Sequence, residues 1–329
     1  MSKRAPRTVT LQDVARAAGV SRATASRVIA GSGPASPATR ERVHAAAARL
    51  GYTPDPVAKA LVTGKGYRIA VAVAGQEPTV FDDPYVQRFV SAAAAACAPH
   101  GVGVSPYYLP IDSAATLQRL ADDRSVHGVV LVNTTGPMLA DIPAALRGRV
   151  AAIGVGSATV PVFDVDSAGG SEAVLRHLYG VGRRRIAMIT GPEWLLCSAR
   201  PVTAYRTMMR TVGLPARLVA GDYSAAGGRR AAVKLLQRWP DTDAIFAISD
   251  ATALGALQVL RQRGITVPGD IAVAGFDDVP FAALSTPSLT TASHPVDQIA
   301  AAAATAVLAQ TLRHASTVYP SELIVRESA

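Results

Sequence analysis

Two groups of residues in this sequence have the types and spacing to do chemistry. The first is Arg22, Ala23, Ser26 and Arg27, in the stretch TVTLQDVARAAGVSRATASRVIA at residues 8–30. If residues 22–29 are helical, Ala25, Val28 and Ile29 form the buried stripe and those four face outward. An arginine fork suits phosphate and the O6/N7 edge of guanine, whereas an alanine offers apolar contact, for example to a thymine methyl. The second group lies at the ends of apolar runs. Ser249-Asp250 follows AIFAI, Asp277-Asp278 follows IAVAGF, Asp166 follows VFDV, and Arg200 opens a helical stretch. Acids and an arginine converging on a cleft bind a polyol or a purine through charge-assisted hydrogen bonds. Taken singly, each of these acids is as well explained as a helix cap; taken together, a small-molecule cleft accounts for them better.

The elements that must position the first group are short helices. Leu11, Val14 and Ala15 share one apolar face, Gly19 breaks the helix where a sharp turn needs a residue without a Cβ, and Ser21 caps the next helix. Helix, glycine turn and helix is a helix-turn-helix pattern, whose second helix enters a major groove by its N-terminal residues. Ser36 caps a third helix with Pro37 at its first position, and Val43, Ala46, Ala47 and Leu50 give it an apolar face that Gly51 ends. Next comes YTPDPVAKALVTGKG, where Asp55 and Pro56 start a segment that Gly64 stops. So short a helix needs a partner, either DNA or the same segment of a second copy, and Lys59 and Lys65 are placed for phosphates. From Tyr67 apolar strands alternate with helices in two blocks, near 67–165 and 166–290, which predicts two parallel α/β lobes with a cleft at the strand C-termini.

Charge separates these parts. Residues 1–66 hold eleven Lys or Arg against three Asp or Glu, so this fifth of the 329 residues carries eight of the nine net positive charges. A basic module on a nearly neutral body is the electrostatic footprint of nucleic-acid binding. The basic N-terminus has no apolar stretch of a secretory signal, and the apolar run Ile299–Ala309 is far short of a bilayer span. Two cysteines, Cys97 and Cys197, without a CxxC spacing suit a reducing compartment, so a cytoplasmic protein is expected, associated with the nucleoid when on DNA. The phosphate-cradling glycine patterns, the GxSxG elbow and HExxH are missing, and the six histidines lack metal-ligand spacing. No catalytic residue, metal or cofactor is expected. A solute-binding protein is the main rival reading, disfavoured by the basic N-terminus, and a sugar- or nucleotide-modifying enzyme is the third.

The motifs VTLQDVARAAGVSRATASRV, RERVHAAAARLGYTPDPVAKAL, RRRIAMITGP, SDATALGAL, VPGDIAVAGFDD and PSLTTASHP, in this order, make the sequence similar to the LacI/GalR family of bacterial transcription regulators over essentially its whole length. The resemblance implies an all-α helix-turn-helix headpiece (1–51), a hinge helix and linker (52–66), and an α/β core (67–329). The core would be periplasmic-binding-protein-like, with two doubly wound parallel-sheet lobes. Lobe 1 would span about 67–165 plus about 295–315; lobe 2 would span about 166–294 plus the C-terminal strand. It implies a repressor acting as a homodimer on a palindromic double-stranded operator, with a sugar or nucleoside-like effector. The DNA-binding set carried over is Thr10, Ser21, Arg22, Ala23, Thr24, Ser26, Arg27, Lys59 and Leu61, the last matching a leucine wedged into the minor groove. The effector set is Tyr85, Asp166, Arg200, Tyr223, Ser249 and Asp277. Ser249 stands where the family has Asn, His294 where it has Gln, and ARPVTAYR lacks the usual Gly, departures that imply a non-standard effector.

Overall fold

The computed structural model describes residues 9–54, 66–111, 114–310 and 316–329. The chain divides into two compact units, Met1–Lys65 and Gly66–Ala329. The hinge-helix expectation, with Lys59 and Leu61, falls on residues 55–65, outside the described residues.

In the first unit α1 (Leu11–Ala18), α2 (Arg22–Ile29) and α3 (Pro37–Leu50) enclose one small core of Val14, Ala15, Ala18, Ala25, Val28, Val43, Ala46 and Ala47. Each helix starts on a side-chain cap. Thr10 forms a reciprocal capping box with Asp13, Ser21 accepts from the Thr24 N–H, and Ser36 accepts from the Thr39 N–H. Gly19 sits at φ 63 and its N–H returns to the carbonyls that end α1. A side chain there would be strained, which is why the turn needs glycine.

The second unit begins with β1 (Arg68–Gly75), α4 (Pro84–Cys97), β2 (Gly103–Pro110), α5 (Ala114–Asp122), β3 (Val126–Val132), α6 (Gly136–Ala140), β4 (Val150–Ile153) and β5 (Val162–Val165). It continues through α7 (Ser167–Gly180), β6 (Ile186–Thr190), α8 (Ala199–Thr211), β7 (Arg217–Ala220), α9 (Ala225–Arg238), β8 (Ala244–Ala247), α10 (Asp250–Gln262) and β9 (Ala272–Ala274). It closes with α11 (Pro280–Leu284), β10 (Thr291–Ala292), α12 (Val296–Ala309), β11 (Ser316–Tyr319) and β12 (Leu323–Ile324). One parallel sheet has the order β11-β5-β4-β3-β1-β2 and the other β7-β6-β8-β9; β10 and β12 form an antiparallel pair. The central strands β1, β3, β4 and β8 are buried almost throughout rather than alternating, as strands covered by helices on both faces must be.

The apolar run Ile299–Ala309 lies within α12, which packs on α4 and buries Ile299, Ala300, Ala303, Ala304 and Val307. Among the described residues no helix is long and apolar enough to cross a membrane. The C-terminal segment departs from the sequence expectation. It supplies two strands, of which β11 joins the first sheet beside β5 and only β12 joins β10 near the second. The chain therefore passes between the two sheets three times, after β5, before α12 and after β11. The first two of these passes border the cleft described next, through Ser167 and His294.

Candidate functional site

Each of the two units carries one candidate site. In the first, the buried Ala25 and Val28 fix which side of α2 meets α1 and α3. Arg22 and Ala23, in the first turn, and Arg27 are exposed, and Ser26 is half-buried beside them. Arg27 folds back along the helix, its Nε donating to the Ala23 carbonyl at 3.3 Å. Thr10, Ser21 and Thr24 sit at helix starts, where they hold the caps. The Ser21 and Thr24 hydroxyls are 2.9 Å apart. A helix N-terminus with free amides and an exposed arginine is a surface for phosphate and base edges.

The second site is a cleft of about 770 Å³ in the larger unit. The C-terminal ends of its parallel strands supply the walls, the place where open α/β sheets take ligands. Asp83 and Tyr85 come from the start of α4, Asn133 follows β3, Gly154 follows β4, and Asp164 lies in β5. From the other side come Trp194 after β6, Arg200 in α8, Tyr223 after β7, Asp277 after β9 and His294 after β10. Asn133 (φ 61), Tyr223 (φ 67) and Asp277 (φ 112) lie in the left-handed region that side chains rarely adopt. Such conformations cluster where a site over-determines the backbone. A Cβ on Gly191 would come within 2.6 Å of the Tyr223 ring, so this close approach requires glycine.

Polar side chains in the cleft are mostly paired. Arg200 binds the buried Asp164 carboxylate and donates to the Gly154 carbonyl at 3.1 Å, tying α8 to β4 and β5. His294 Nδ1 lies 3.1 Å from Asp277 Oδ1, and its ring packs against Tyr85 at 4.7 Å between centroids. The Tyr223 and Ser198 hydroxyls are 2.9 Å apart. Burial governs the titration. It holds the Asp277 carboxyl well above the usual range against the opposing charge of Arg88, and it depresses His294 to about 4, so the imidazole is neutral. Burial also raises Asp164 against the pull of Arg200, and it lifts the Cys197 thiol to about 12.

Asp83 caps α4 by accepting the Tyr85 N–H at 2.9 Å. Burial, with the Asp277 charge nearby, pushes it from the ordinary 3.8 to about 7. Between those values the native state holds a proton that the unfolded chain has released, so this group makes stability fall as pH rises through that window. Asp83→Asn keeps the cap and removes the titration. The melting temperature of the variant is expected to decline less than the parent's between about pH 5 and about pH 7. Parallel profiles for the two proteins would contradict the assignment.

Four of the six expected effector residues line this cleft: Tyr85, Arg200, Tyr223 and Asp277. Asp166 does not. The chain leaves the extended conformation there (ψ 75), and the exposed carboxylate caps α7 on the Gly169 N–H at 2.9 Å. It borders a separate groove between α7 and α8 instead. Ser249 is also absent from the lining. It is buried, caps α10 on the Thr252 N–H at 3.2 Å, and donates to the Tyr223 carbonyl at 3.3 Å, so it holds the Tyr223 backbone instead of facing the cleft. Sequence reasoning missed Asp83, Asp164, Ser167 and Trp194, and named His294 only as a departure. The signal for Asp164 was its position inside a strand, one residue before the end of β5.

Comparison with known proteins places the chain in a family. The family of bacterial regulatory proteins named for lacI matches residues 10–55, and a periplasmic binding protein-like domain matches residues 175–329. The HTH-type transcriptional regulator CelR of Thermobifida fusca is 34% identical, over 97% of this chain and 98% of its own. The HTH-type transcriptional repressor CytR of Escherichia coli (strain K12) is 29% identical over 99% of this chain and 98% of its own. Among solved structures, a complex of the transcriptional regulator CelR with cellobiose aligns with TM-score 0.71 and 31% identity, covering 98% of this chain and all of that one. A lac repressor dimer bound to operator and the anti-inducer ONPF aligns with TM-score 0.84 at 24% identity, covering 98% and 99% of the two chains, which bears on the fold. A helix-turn-helix unit with an exposed arginine on its second helix, joined to a two-sheet α/β core, is thus a DNA-binding transcriptional regulator, and the chain belongs to the LacI family.

Proposed function

We propose that the protein is a repressor that binds a two-fold symmetric operator as a homodimer and is controlled by a small polyol, a sugar or nucleoside-like molecule, held in the cleft. The observation that carries this is the cleft itself. Arg200, Asp277 and His294 converge with aromatic faces at the strand ends, on the chain that also presents Arg22 and Ala23 from a recognition helix. The cellobiose complex of the CelR neighbour and the operator-bound lac repressor dimer support the ligand and DNA parts respectively. Phe281 and Leu284 on α11, 56% and 77% exposed, are apolar surface of the kind that self-association covers. Arg22, Ala23 and Arg27 meet base edges, while Thr10, Ser21, Thr24, Ser26 and Lys59 hold phosphates or the helix start, and Leu61 is the minor-groove wedge.

Ligand in the cleft bridges groups on both sheets, so it favours one arrangement of the core over another, and that differential affinity sets DNA occupancy. The protein works in the cytoplasm on chromosomal DNA and turns over no substrate. The test is a titration of a selected operator duplex against mono- and disaccharides and nucleosides. One of them is expected to change the duplex affinity by at least about 5-fold. Compounds that raise the melting temperature of the protein yet leave every duplex affinity unchanged would contradict the reading.

A further inference from the structure

The cleft has a surplus of carboxylates over cations, and the following rests on the effector reading above and sharpens it. Two arginines line the cleft and both are taken: Arg200 by Asp164, Arg230 by Asp222 at 2.6 Å. Glu77, Asp82, Asp83 and Asp277 line the same space with no further arginine or lysine among the described lining residues. Arg88, just outside, is forked onto Asp297, with Nη2 at 2.7 Å and Nε at 3.2 Å. His294 faces Asp277 but is neutral, so it offsets no charge.

Two further atoms point to a missing partner. Ser167 is 9% exposed and lines the cleft, and its hydroxyl has no hydrogen-bond partner among the described residues; the same is true of the buried Nε2 of His294. Ionised carboxylates only accept hydrogen bonds, so a cationic donor is the group that pairs with this set in its charged form. A neutral hydroxyl can donate, but it gives Asp83 and Asp277 no countercharge, so burial keeps pushing both carboxyls toward the protonated form; a cation between them would let both ionise. An ammonium group brings three donors and the balancing charge. A cleft lined by one sign of charge also concentrates ligands of the other sign. Tyr85, Trp194 and Phe276 supply apolar faces for a ring or for the cation itself.

We propose that the effector is a polyhydroxylated molecule carrying a protonated amine, an amino sugar or aminopolyol, with its ammonium seated by Asp83 and Asp277 and its hydroxyls meeting Ser167 and His294. The test is calorimetric titration of the full chain at about pH 7, where such amines are largely protonated. The probes are matched pairs: glucosamine and glucose, glucamine and sorbitol, and the β1,4-linked glucosamine disaccharide and cellobiose. At least one amine is expected to bind about tenfold tighter than its neutral counterpart. Asp83→Asn and Asp277→Asn should each remove most of that ratio, asparagine being the side chain best able to keep the α4 cap and the positive φ at 277. Should Asp277→Asn fail to fold, Asp83→Asn decides the matter. Equal or tighter binding of the neutral partner, binding of none of the three amines at millimolar concentration, or a ratio that survives substitution overturns the proposal. A neutral sugar that binds and shifts duplex affinity removes the amine and leaves the effector reading intact. A compound that occupies the cleft without changing duplex affinity counts against the effector reading instead.

Discussion

Replacing Arg22 by alanine is expected to relax base preference at one position of each operator half-site by about 1–3 kcal/mol, a factor of about 5 to 150 per half-site. Arg22 is exposed in the first turn of α2, where the buried Ala25 and Val28 leave it on the outer side. A guanidinium there can reach the two acceptors of a guanine edge, and alanine cannot. The measurement is competition binding of the native protein and R22A against duplexes altered one base pair at a time. Loss of discrimination at a single symmetric pair of positions is the expected pattern. An unchanged preference, or a uniform loss at every position, would mean that Arg22 meets phosphate or nothing.

Arg200→Ala should both destabilise the core and blunt the effector response. Asp164 is 4% exposed, and without Arg200 its carboxylate keeps the Val165 N–H at 2.8 Å. Breaking a fully buried pair costs about 3–5 kcal/mol; with the arginine side chain 38% exposed, about 2 kcal/mol is expected. Arg200 also ties the second sheet's α8 to the Gly154 carbonyl after β4, so its loss frees the two walls of the cleft from each other. Urea unfolding reads the first effect, and duplex titration with a cleft ligand reads the second. Adding Asp164→Asn to the variant should recover much of the stability by removing the stranded charge. A midpoint unaffected by R200A would show that the pair is solvated and that the cleft is more open than its burial indicates.

The parts of the fold that the sequence made legible are those where local signals and burial agree. The headpiece is one such part, since Ser21, Ser36, Gly19 and Gly51 mark helix ends that Val14, Ala25, Val28 and Val43 then bury. The central strands β1, β3, β6 and β8 are another, because each holds a continuous apolar run of at least four residues. Edge strands gave less signal. Arg217–Ala220 is half-buried to exposed, and β10 and β12 are two residues each, so their pairing is a tertiary event with no periodicity to read. The same limit applies to the cleft. Tyr85, Arg200, Tyr223 and Asp277 follow recognisable motifs, but choosing Asp164 over Asp166 depended on where β5 stops and α7 starts. Ser249 follows a strand as a ligand contact would, yet its hydroxyl is used by the α10 cap. Asp83 could be found only by seeing that the loop after β1 returns it to the strand ends beside Asp277.

The most direct measurement is selection of bound duplexes from a random DNA pool by the purified full chain at moderate salt. Enrichment of one symmetric site made of two half-sites is the result expected of a homodimer reading DNA through α2. Salt-sensitive binding with no enriched sequence would mean that the basic N-terminal residues hold phosphates alone, and it would contradict the account of sequence-specific regulation.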